Sequence, residues 1–528
     1  MQRVLIAFVI GLAIGCMLIG RVDYLLLPAG VVVPLIGVFM GLMLLLVFVM
    51  FFLYRRRYVV AFSFSAFLFF LLLGCVAFQL KYRQSESEMS ALSNEHCVRG
   101  MVVNNPQRKT RSLAVQLQTK EGVTIICYLN PNPLEKRLVS YPEIGDSLVA
   151  FTKHGFVPTS FLTDSTDEFA AYRRYLFLHE IAGTCYSESW QVTKCKPEGI
   201  RAVQRVLNSQ LLTLRDTAIP IGEHDDFAVV TAMTTGNKNE LSKELRDQYS
   251  RAGVSHVLAL SGFHLSVVYM LLQLLLFAWV GSDKWRKVAR SVSIFTIWAF
   301  VAIADFPPSL VRAAIMFSLL LLSQIVRRRV NTVDVLCVTV MAMLCVNPFI
   351  LLDVGFELSV LSMLGLLTMG NWLFERWMNK RRTMSREGWT RRMVIKVTDF
   401  VVSSAITTMV CSMMTLPLVS YYFGIVPILS IGSNLIMSLL ATALMAITAV
   451  WWMVSWQSQL SAWVGVGVMG IASLMNGVTS WFSSLDFAVI PWRANELGVV
   501  MWYFLIAFLL IYGARHLSIY GNGGGQHK

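Results

Sequence analysis

Charged residues are scarce in this 528-residue chain: Asp, Glu, Lys and Arg together make up 14% of it. A soluble domain has roughly a quarter of such residues, so the scarcity excludes an ordinary soluble globular protein. In place of charge, 56% of the residues are hydrophobic. They recur in apolar runs of about 18 or more residues, each long enough to cross a bilayer. The sequence therefore predicts a polytopic α-helical membrane protein with about 12 transmembrane helices.

Sequence motifs for metal binding and nucleotide hydrolysis are also missing. The nine cysteines show no CxxC or Cys/His metal spacing, and the eight histidines form no HxHxDH, HExxH or HxE motif. There is no GxxxxGK[ST] loop for ATP. We therefore expect no bound metal or cofactor and no enzyme of these classes, although a nuclease activity in the soluble insert described below is left open.

The net charge of +14 has two interpretations, nucleic-acid binding or membrane orientation. The basic clusters lie between apolar runs, as expected for cytoplasmic loops, and this favours orientation. With these clusters inside, both termini are predicted to be cytoplasmic and the large soluble insert to be extracytoplasmic. The clusters are Arg55–Arg57, Lys284–Arg290, Arg327–Arg329 and Arg376–Lys396.

Changes in composition divide the chain into five predicted segments. Residues 1–80 form a three-helix membrane segment, and residues 81–198 form the soluble insert. Residues 199–255 are amphipathic and polar connector helices, and residues 256–514 form a transmembrane domain. Residues 515–528 are a cytoplasmic tail. The helix near Ile200–Arg215 has apolar residues on one side, so it is predicted either to lie along the membrane surface or to pack on the insert as a connector.

Short β-like runs alternate with turn signals in the insert, at 96–103, 113–118, 123–129, 147–153 and 183–193. About five strands fit an OB-like β-barrel, a fold that often binds single-stranded nucleic acid. Arg99, Arg108, Lys109 and Arg111 are candidate phosphate contacts, although surface charges on small barrels are commonly just solvated. Cys185 and Cys195 are candidates for a disulfide between two short strands.

Polar and charged residues interrupt the apolar runs that begin at Val257. Asp353 and Glu357 are four residues apart and are expected to share a helix face, where Arg312 is a candidate partner across a bundle. Such a group either holds helices in register or lines a pathway. His256 and His264 flank Ser261-Gly262 at the point where the polar chain becomes apolar, so this stretch is predicted to be the mouth of a membrane pathway.

Four ordered motifs in the chain resemble one family. The stretch from His256 to His264, HVLALSGFH, is similar to the family segment HLLAVSGLH, and Pro308–Ala313 is similar to a PSxxRA motif. Asn347-Pro348 with Leu352–Ser359, and later Leu416-Pro417 with the segment around Asn434, match two further blocks. The resemblance is to the ComEC family, the inner-membrane channels of natural competence, in a form without their C-terminal metallo-β-lactamase-like domain.

This resemblance implies that one strand of DNA passes through the inner membrane into the cytoplasm. It places the following residues in the channel core: His256, Ser261, Gly262, His264, Pro308, Arg312, Asp353, Glu357 and Asn434. Glu357 stands where the family usually has Gln. The implied partners are single-stranded DNA, the lipid bilayer, a periplasmic DNA-receptor protein, a separate nuclease, and a cytoplasmic helicase or single-strand-binding protein.

Two other classes of function fit a polytopic chain with intramembrane charges. One is a transporter of a small or lipid-linked solute, whose mark would be an inverted repeat with broken helices. The other is a membrane-embedded enzyme that acts on envelope substrates, with His256 and His264 as acid–base or metal groups.

Overall fold

A computed structural model of the chain describes residues 5–7, 9–11, 45–46, 59–92, 97–109, 112–130, 141–152, 156–159, 170–218, 224–277, 282–382, 389–506 and 508. The chain divides into two compact units. Unit 1 consists of Met1–Thr213 and Leu272–Phe356, and unit 2 consists of Leu214–Leu271 and Glu357–Lys528. Each unit is therefore built from two separate stretches of the chain.

Helices dominate the described residues, as the apolar runs predict. In chain order they are α1 Val59–Leu92, α2 Ala170–Leu178, α3 Ile200–Ala218, α4 His224–Thr235, α5 Lys243–Arg251, α6 Gly262–Phe277, α7 Asp283–Ile303, α8 Pro308–Val326, α9 Thr332–Val346, α10 Val354–Gly365, α11 Asn371–Arg382, α12 Trp389–Phe423, α13 Ser430–Val454, α14 Ser458–Ser484 and α15 Glu496–Ile506. A π-helical turn, Leu366–Gly370, joins α10 to α11.

Six of the described helical stretches are long and apolar enough to cross a membrane: Phe64–Gln84, Pro308–Val326, Val354–Asn379, Met393–Phe423, Ser430–Val454 and Ser458–Ser484. Three shorter apolar helices are Gly262–Leu276, Thr332–Val346 and Glu496–Ile506. A polytopic membrane protein is therefore confirmed. The count of about 12 stays a prediction, since most of the first two predicted helices and the tail lie outside the described residues.

The insert, in unit 1, contains one eight-stranded sheet. Its strands are β1 Cys97–Val102, β2 Gln107–Arg108, β3 Leu113–Thr119, β4 Thr124–Leu129, β5 Ser147–Phe151, β6 Phe156–Pro158, β7 Ile181–Ser187 and β8 Ser189–Thr193. The pairing order is β6-β7-β4-β3-β1-β5-β8, with β2 on β3. All five predicted strands are present, but the described ladder ends at β6 and β8, so it is an open sheet and the expected OB-like barrel is not confirmed.

The two faces of this sheet follow from its register. Cys127 on β4 lies opposite Cys185 on the parallel strand β7, and Tyr128 lies opposite Tyr186. Side chains alternate between faces along a strand, so the cysteines share one face and the tyrosines share the other. The cysteine face is buried, whereas Tyr186 is 46% exposed. We call the face that carries Tyr128 and Tyr186 the outer face.

Helix α2 covers part of the outer face and was missed by the sequence patterns. Its nine residues are too few for a clear helical period, and they follow a segment rich in polar residues. Leu176 packs with Ile126 and Ile181 in a buried cluster. The Phe177 ring packs on the Phe349 ring at a tilt of 51°, with ring centroids 5.2 Å apart. Helix α2 therefore joins the sheet to the 3-10 turn Pro348–Leu352 of the same unit.

Helix α3 confirms the predicted amphipathic helix and shows what its polar side binds in unit 1. Arg201 donates to Gln118, Asn208 donates to Asn105, and Gln204 donates to the carbonyls of Ala302 and Ile303. The polar side thus packs on the insert and on the end of α7. Val203 and Val206 on the apolar side of α3 are exposed. That this side of α3 lies on the membrane surface stays a prediction.

Unit 2 is built on the antiparallel pair α13 and α14, against which α4 and α5 pack. A short two-stranded sheet pairs β9 Ile425–Pro427 with β10 Val489–Pro491. Helix α5 starts at a capped N-terminus, because the Ser242 hydroxyl accepts a hydrogen bond from the Leu245 N–H. This packing fixes the segment that leads from α5 to α6, where the candidate pathway residues begin.

Candidate functional site

The segment from Ala252 to His264 is held against the start of α13 in unit 2. Ser433 donates a hydrogen bond of 2.7 Å to the Ala252 carbonyl. Gly253 has φ of +75°, and a Cβ at this position would lie 2.8 Å from Cβ of Ser430. A side chain is therefore excluded both by the backbone conformation and by the close approach of α13. These contacts with α13 set the direction in which the chain enters the His256 region.

His264 bonds back to Ser261 at the start of α6. The His264 Nδ1 atom accepts from the Ser261 backbone N–H at 3.3 Å and lies 3.2 Å from the Ser261 hydroxyl oxygen. His264 thus takes the role that Glu or Gln has in a capping box. Because Nδ1 accepts from a backbone N–H, the neutral ring carries its proton on Nε2.

The Nε2 atom of His264 is buried in this arrangement. The side chain is 0% exposed, and Nε2 faces the Val257 peptide without forming a hydrogen bond of ordinary geometry to any described residue. Gly262, the first residue of α6, is half-buried, whereas His256 is exposed on the 3-10 turn Ser255–Val257. The two histidines of the motif therefore differ in surroundings: one is a buried capping residue and the other is accessible.

Two other motif residues lie in unit 2. Asn434 on α13 is half-buried, and its Oδ1 atom is buried without a hydrogen-bond donor among the described residues. Glu357 on α10 accepts a hydrogen bond of 3.3 Å from the Tyr422 hydroxyl. This contact supplies a hydrogen-bond donor to the Glu357 carboxylate. Asn434, like His264, presents a polar atom for which the described chain supplies no partner.

Arg312 is the most buried charge of the motif, and it lies in unit 1. Pro308 occupies the first position of α8, where its missing N–H costs nothing. Arg312 is one turn further along and only 4% exposed. Its Nε and Nη1 atoms have no hydrogen-bond partner among the described residues, and no described ion pair joins Arg312 to Asp353. The expected pairing of these two residues is therefore not observed.

Asp353 lies before α10 and not within it, which corrects the expectation that it shares a helix face with Glu357. Its Oδ1 atom accepts from the Phe356 N–H at 2.8 Å, so it caps the helix. Its Oδ2 atom is 3.6 Å from Nε2 of His179 at the end of α2. Burial lowers the pKa of His179 more than the Asp353 carboxylate raises it, so the pKa of His179 falls below its ordinary value.

The four candidate phosphate contacts of the insert are described to different extents. Arg99 on β1 and Lys109 after β2 are exposed. The Lys109 Nζ atom lies 4.7 Å from the ring centroid of Tyr128. Arg108 is in β2, and Arg111 lies outside the described residues. Lys109 is therefore the candidate whose side chain the structure connects to a specific partner.

Cys185 has a different neighbour from the one expected. Its Sγ atom lies 2.7 Å from Sγ of Cys127, and both residues are buried. Cys195, the expected partner, is partly exposed, and its Sγ atom contacts the Thr193 carbonyl. The parallel pairing of β4 with β7 produces this arrangement, and no local pattern announces it.

A buried polar network in unit 2 was also not predicted. The Tyr249 hydroxyl donates to Oδ1 of Asn476 at 3.0 Å, and Nδ2 of Asn476 donates to Asp226 at 2.7 Å. The network ties α4 and α5 to α14. An Asn within the apolar α14 was the sequence signal that would have indicated it. Among the described residues, no group of three or more His, Cys, Asp or Glu side chains is arranged to hold a metal ion.

Comparisons with known proteins agree on one family. The family model described as "Competence protein" matches residues 233–516, which is more than half of the chain. ComE operon protein 3 of Bacillus subtilis (strain 168) is 23% identical over 354 residues, which cover 64% of this chain and 42% of that protein. The match thus spans about two fifths of the length of this curated relative. No solved structure matches the chain.

Proposed function

Because this chain belongs to the competence protein family, we propose that it conducts single-stranded DNA across the cytoplasmic membrane into the cell during DNA uptake. A strand of nucleic acid carries one negative charge per nucleotide. Lipid cannot solvate these charges, so a conduit must supply polar groups and a few cations at membrane depth. It must also release each phosphate easily, as ion channels release ions.

The observation that carries the proposal is the buried guanidinium of Arg312, whose Nε and Nη1 atoms have no hydrogen-bond partner among the described residues. A charge buried without a partner costs several kcal/mol, so an arrangement that keeps one is expected to serve a ligand. Arg312 lies near the start of an apolar helix that is long enough to cross a membrane. Guanidinium groups bind phosphate oxygens with two parallel hydrogen bonds. A passing phosphodiester would satisfy Arg312 temporarily, which is what conduction needs.

Polar atoms of unit 2 support the same proposal. The Nε2–H of His264 is a buried donor and the Oδ1 atom of Asn434 a buried acceptor, each without a partner in the described chain. Each of these two groups, considered within unit 2 alone, is suited to bind a hydrated strand. We propose that the remaining motif residues, His256, Ser261, Gly262, Pro308, Asp353 and Glu357, shape the path or hold its helices, as the capping contacts of Ser261 and Asp353 indicate.

The proposed setting is the inner membrane, with both termini in the cytoplasm and the insert outside. The loops that carry Arg327–Arg329 and Arg376–Lys396 then face the cytoplasm, which follows the positive-inside rule. The sequence has no ATP-binding loop, so the pulling force is proposed to come from a cytoplasmic helicase or from capture by single-strand-binding proteins. A periplasmic DNA receptor and a separate nuclease would supply the single strand.

The proposal is tested by uptake of labelled DNA in a deletion strain that is complemented with variants. Arg312→Ala is expected to lower uptake about tenfold or more, since a hydrogen bond to a charged group contributes about 1.5–3 kcal/mol. Arg312→Lys keeps the charge and should retain part of the uptake. The matched control is Arg328→Ala, which removes an exposed arginine just after the same helix.

Labelled DNA that stops outside the inner membrane in the Arg312→Ala strain, at normal protein level, supports the proposal. Unimpaired transformation of the deletion strain ends it. Equal uptake by Arg312→Ala and Arg328→Ala would show that Arg312 does not contact the strand.

A further inference from the structure

Four tyrosines gather on the outer face of the insert. Tyr128 and Tyr186 are neighbours on the parallel strands β4 and β7. Tyr172 and Tyr175 project from α2, which packs on the same face, and the hydroxyl oxygens of Tyr128 and Tyr172 are 2.6 Å apart. Tyr172, Tyr175 and Tyr186 are 38%, 54% and 46% exposed. We call these four residues the tyrosine cluster.

The rings of the cluster are held in an ordered arrangement. The planes of Tyr172 and Tyr175 differ by only 16°, with centroids 6.5 Å apart. The Tyr175 ring continues onto His179, at a centroid distance of 4.3 Å. Below them, Leu176 and Phe177 anchor α2 with 1% and 2% exposure. The exposed rings therefore lie on a helix whose other side is buried in the protein. Little conformational freedom remains to be lost when a ligand binds.

Positive charge accompanies the rings. The Lys109 ammonium lies over the Tyr128 ring. Arg99 belongs to the outer face as well. The register pairs Met101 with Gln118 and Gln118 with Thr124, so these three residues share one face. Arg99 is two residues from Met101 and Tyr128 is four residues from Thr124, so both side chains lie on that same face. Arg173 and Arg174 separate the two tyrosines of α2 in the sequence. Aromatic faces with cations beside them are the combination that binds single strands, whose bases stack while their phosphates meet the cations.

The cluster lies beside the ends of membrane helices in unit 1. Glu180, just after α2, forms an ion pair of 2.8 Å with Lys81, near the end of the predicted span Phe64–Gln84. His179 lies 3.6 Å from Asp353, which caps α10. A ligand stacked on Tyr172 and Tyr175 would therefore be next to the point where these helices leave the insert.

We propose that the tyrosine cluster is a stacking platform for unpaired bases of single-stranded DNA, with Lys109 as its phosphate contact. This inference rests on the proposed function, since it takes the transported strand as the ligand. Stacking on a π-face tolerates every base, so the platform would bind any sequence and would disfavour duplex DNA, whose bases are already stacked and paired. It assigns DNA binding in the insert mainly to aromatic side chains, whereas the sequence pattern pointed to arginines.

The test measures binding of fluorescently labelled oligothymidine to the full-length chain in lipid nanodiscs by anisotropy. Alanine substitution of a stacking ring costs about 1–3 kcal/mol per base, so Tyr175→Ala is expected to weaken binding about tenfold and the Tyr172→Ala/Tyr175→Ala double variant further. Tyr172→Phe and Tyr175→Phe keep the rings and should bind nearly as the wild type does. Tyr141→Ala is the matched control, since it removes a 53% exposed tyrosine from a loop of the same insert.

Salt dependence separates the two kinds of contact. Tyr175→Ala should lower affinity by a similar factor at every salt concentration, whereas Lys109→Ala should reduce the salt slope by about one phosphate contact. The phenylalanine variants also distinguish loss of a ring from unfolding of the insert, because they share the substituted positions.

Three results would overturn the platform. The first is alanine variants that bind oligothymidine as the wild type does. The second is wild-type protein that binds duplex as tightly as single strands. The third is alanine variants that bind DNA normally but insert poorly into membranes, which would place the rings in the lipid headgroup layer. If any of these occurs while uptake still depends on Arg312, the platform fails and the proposed function stands. Uptake that is unimpaired in the deletion strain removes the proposed function itself.

Discussion

Cys127 and Cys185 face each other across the parallel strands β4 and β7, with their Sγ atoms 2.7 Å apart. A disulfide needs an S–S distance of about 2.05 Å, so only a small movement separates these thiols from a bond. The hydrogen bond with Cys185, followed by burial, raises the pKa of the Cys127 thiol, which disfavours the reactive thiolate. The pair is therefore poised to form a bond, but it is expected to need an oxidant to do so.

We predict that the native protein, recovered from an oxidising compartment, contains a Cys127–Cys185 disulfide. Its intact mass should lack two hydrogens, and these two thiols should resist alkylation until a reductant is added. Cys195→Ser should leave the bond in place, whereas Cys127→Ser should make Cys185 available to reagents in the unfolded protein. A peptide that links Cys185 to Cys195 in the native protein would contradict this prediction.

The stability of the insert is predicted to depend on the carboxylate of Asp146. This side chain is 0% exposed; it accepts a hydrogen bond from Arg205 at 2.7 Å and forms an ion pair with Lys194 at 3.0 Å. Burial by itself raises the pKa of Asp146. Hydrogen bonds from the Glu143 and Cys195 N–H groups, Arg205 and Lys194 lower it by more than burial raises it, so the pKa falls below its ordinary value of 3.8. The folded state thus binds the Asp146 proton more weakly than the unfolded state does.

The sign follows from linkage: a carboxyl group with a depressed pKa stabilises the fold above its unfolded pKa, and this contribution is lost as the pH falls through the folded value. Thermal unfolding of the insert should therefore show an acid-sensitive step below about pH 4. Asp146→Asn should lower stability at neutral pH by about 1.5–3 kcal/mol and abolish that step. Lys194→Ala, which removes a partner that is 42% exposed, should cost less. Identical acid profiles for the wild type and Asp146→Asn would refute the assignment.

Gly253 is predicted to be needed for the close packing of the His256 segment against Ser430 and Pro427. Gly253→Ala places a methyl group 2.8 Å from Ser430 and 3.0 Å from Pro427, at φ of +75°. Gly424→Ala is the matched control, because Gly424 has φ of +68° in the same unit with nothing within 4 Å of its Cβ position. Both variants bear the left-handed strain, but only Gly253→Ala also overpacks, which costs about 1–3 kcal/mol. The difference between the two variants in unfolding temperature and in DNA uptake measures the effect of overpacking at Gly253. Equal behaviour would show that the packing around Gly253 adjusts to the added methyl group.

A hydrated passage predicts that water-soluble reagents reach the pathway motifs. Ser261→Cys and Ser309→Cys place thiols near His264 and Arg312 respectively. The background chain has the exposed Cys97 and Cys345 and the partly exposed Cys195 replaced by serine. Membrane-impermeant thiol reagents added from the outer side should label both positions. Leu344→Cys on α9, where the native side chain is 0% exposed, is the control that should stay unlabelled. Inertness of both test positions in a protein that still takes up DNA would leave no role for a wet passage.

Much of the fold follows from local patterns. An apolar run longer than the bilayer thickness can satisfy its backbone only as a helix. The described part of the predicted transmembrane domain is accordingly built mainly of helices. The five predicted β runs reappear as strands, although the run at 183–193 is divided by a turn into β7 and β8. The ordered motifs also indicated the family to which the chain belongs.

Contacts between residues distant in sequence were not predictable in the same way. The sequence pattern placed Asp353 on a helix face with Glu357 and offered Arg312 as a candidate partner, but Asp353 caps α10 and neighbours His179. Helix α2 was missed because nine residues carry little periodic signal. The tyrosine cluster depends on this missed helix, since α2 brings Tyr172 to Tyr128 on β4, 44 residues earlier in the chain.

The sequence by itself determined that this protein is polytopic, where most of its helices and strands lie, and that it belongs to the competence family, because hydrophobic length, alternation and ordered motifs are local properties. Only the tertiary structure decided that Cys185 meets Cys127, that the tyrosines share one face, and that Arg312 is buried with no partner for its Nε and Nη1 atoms in the described part of the chain. Strand register is the physical reason for the first two: a bulge between Thr124 and Ile125 sets which residues of β7 face which residues of β4. For Arg312, burial depends on how helices pack, and no spacing of residues along α8 contains that information.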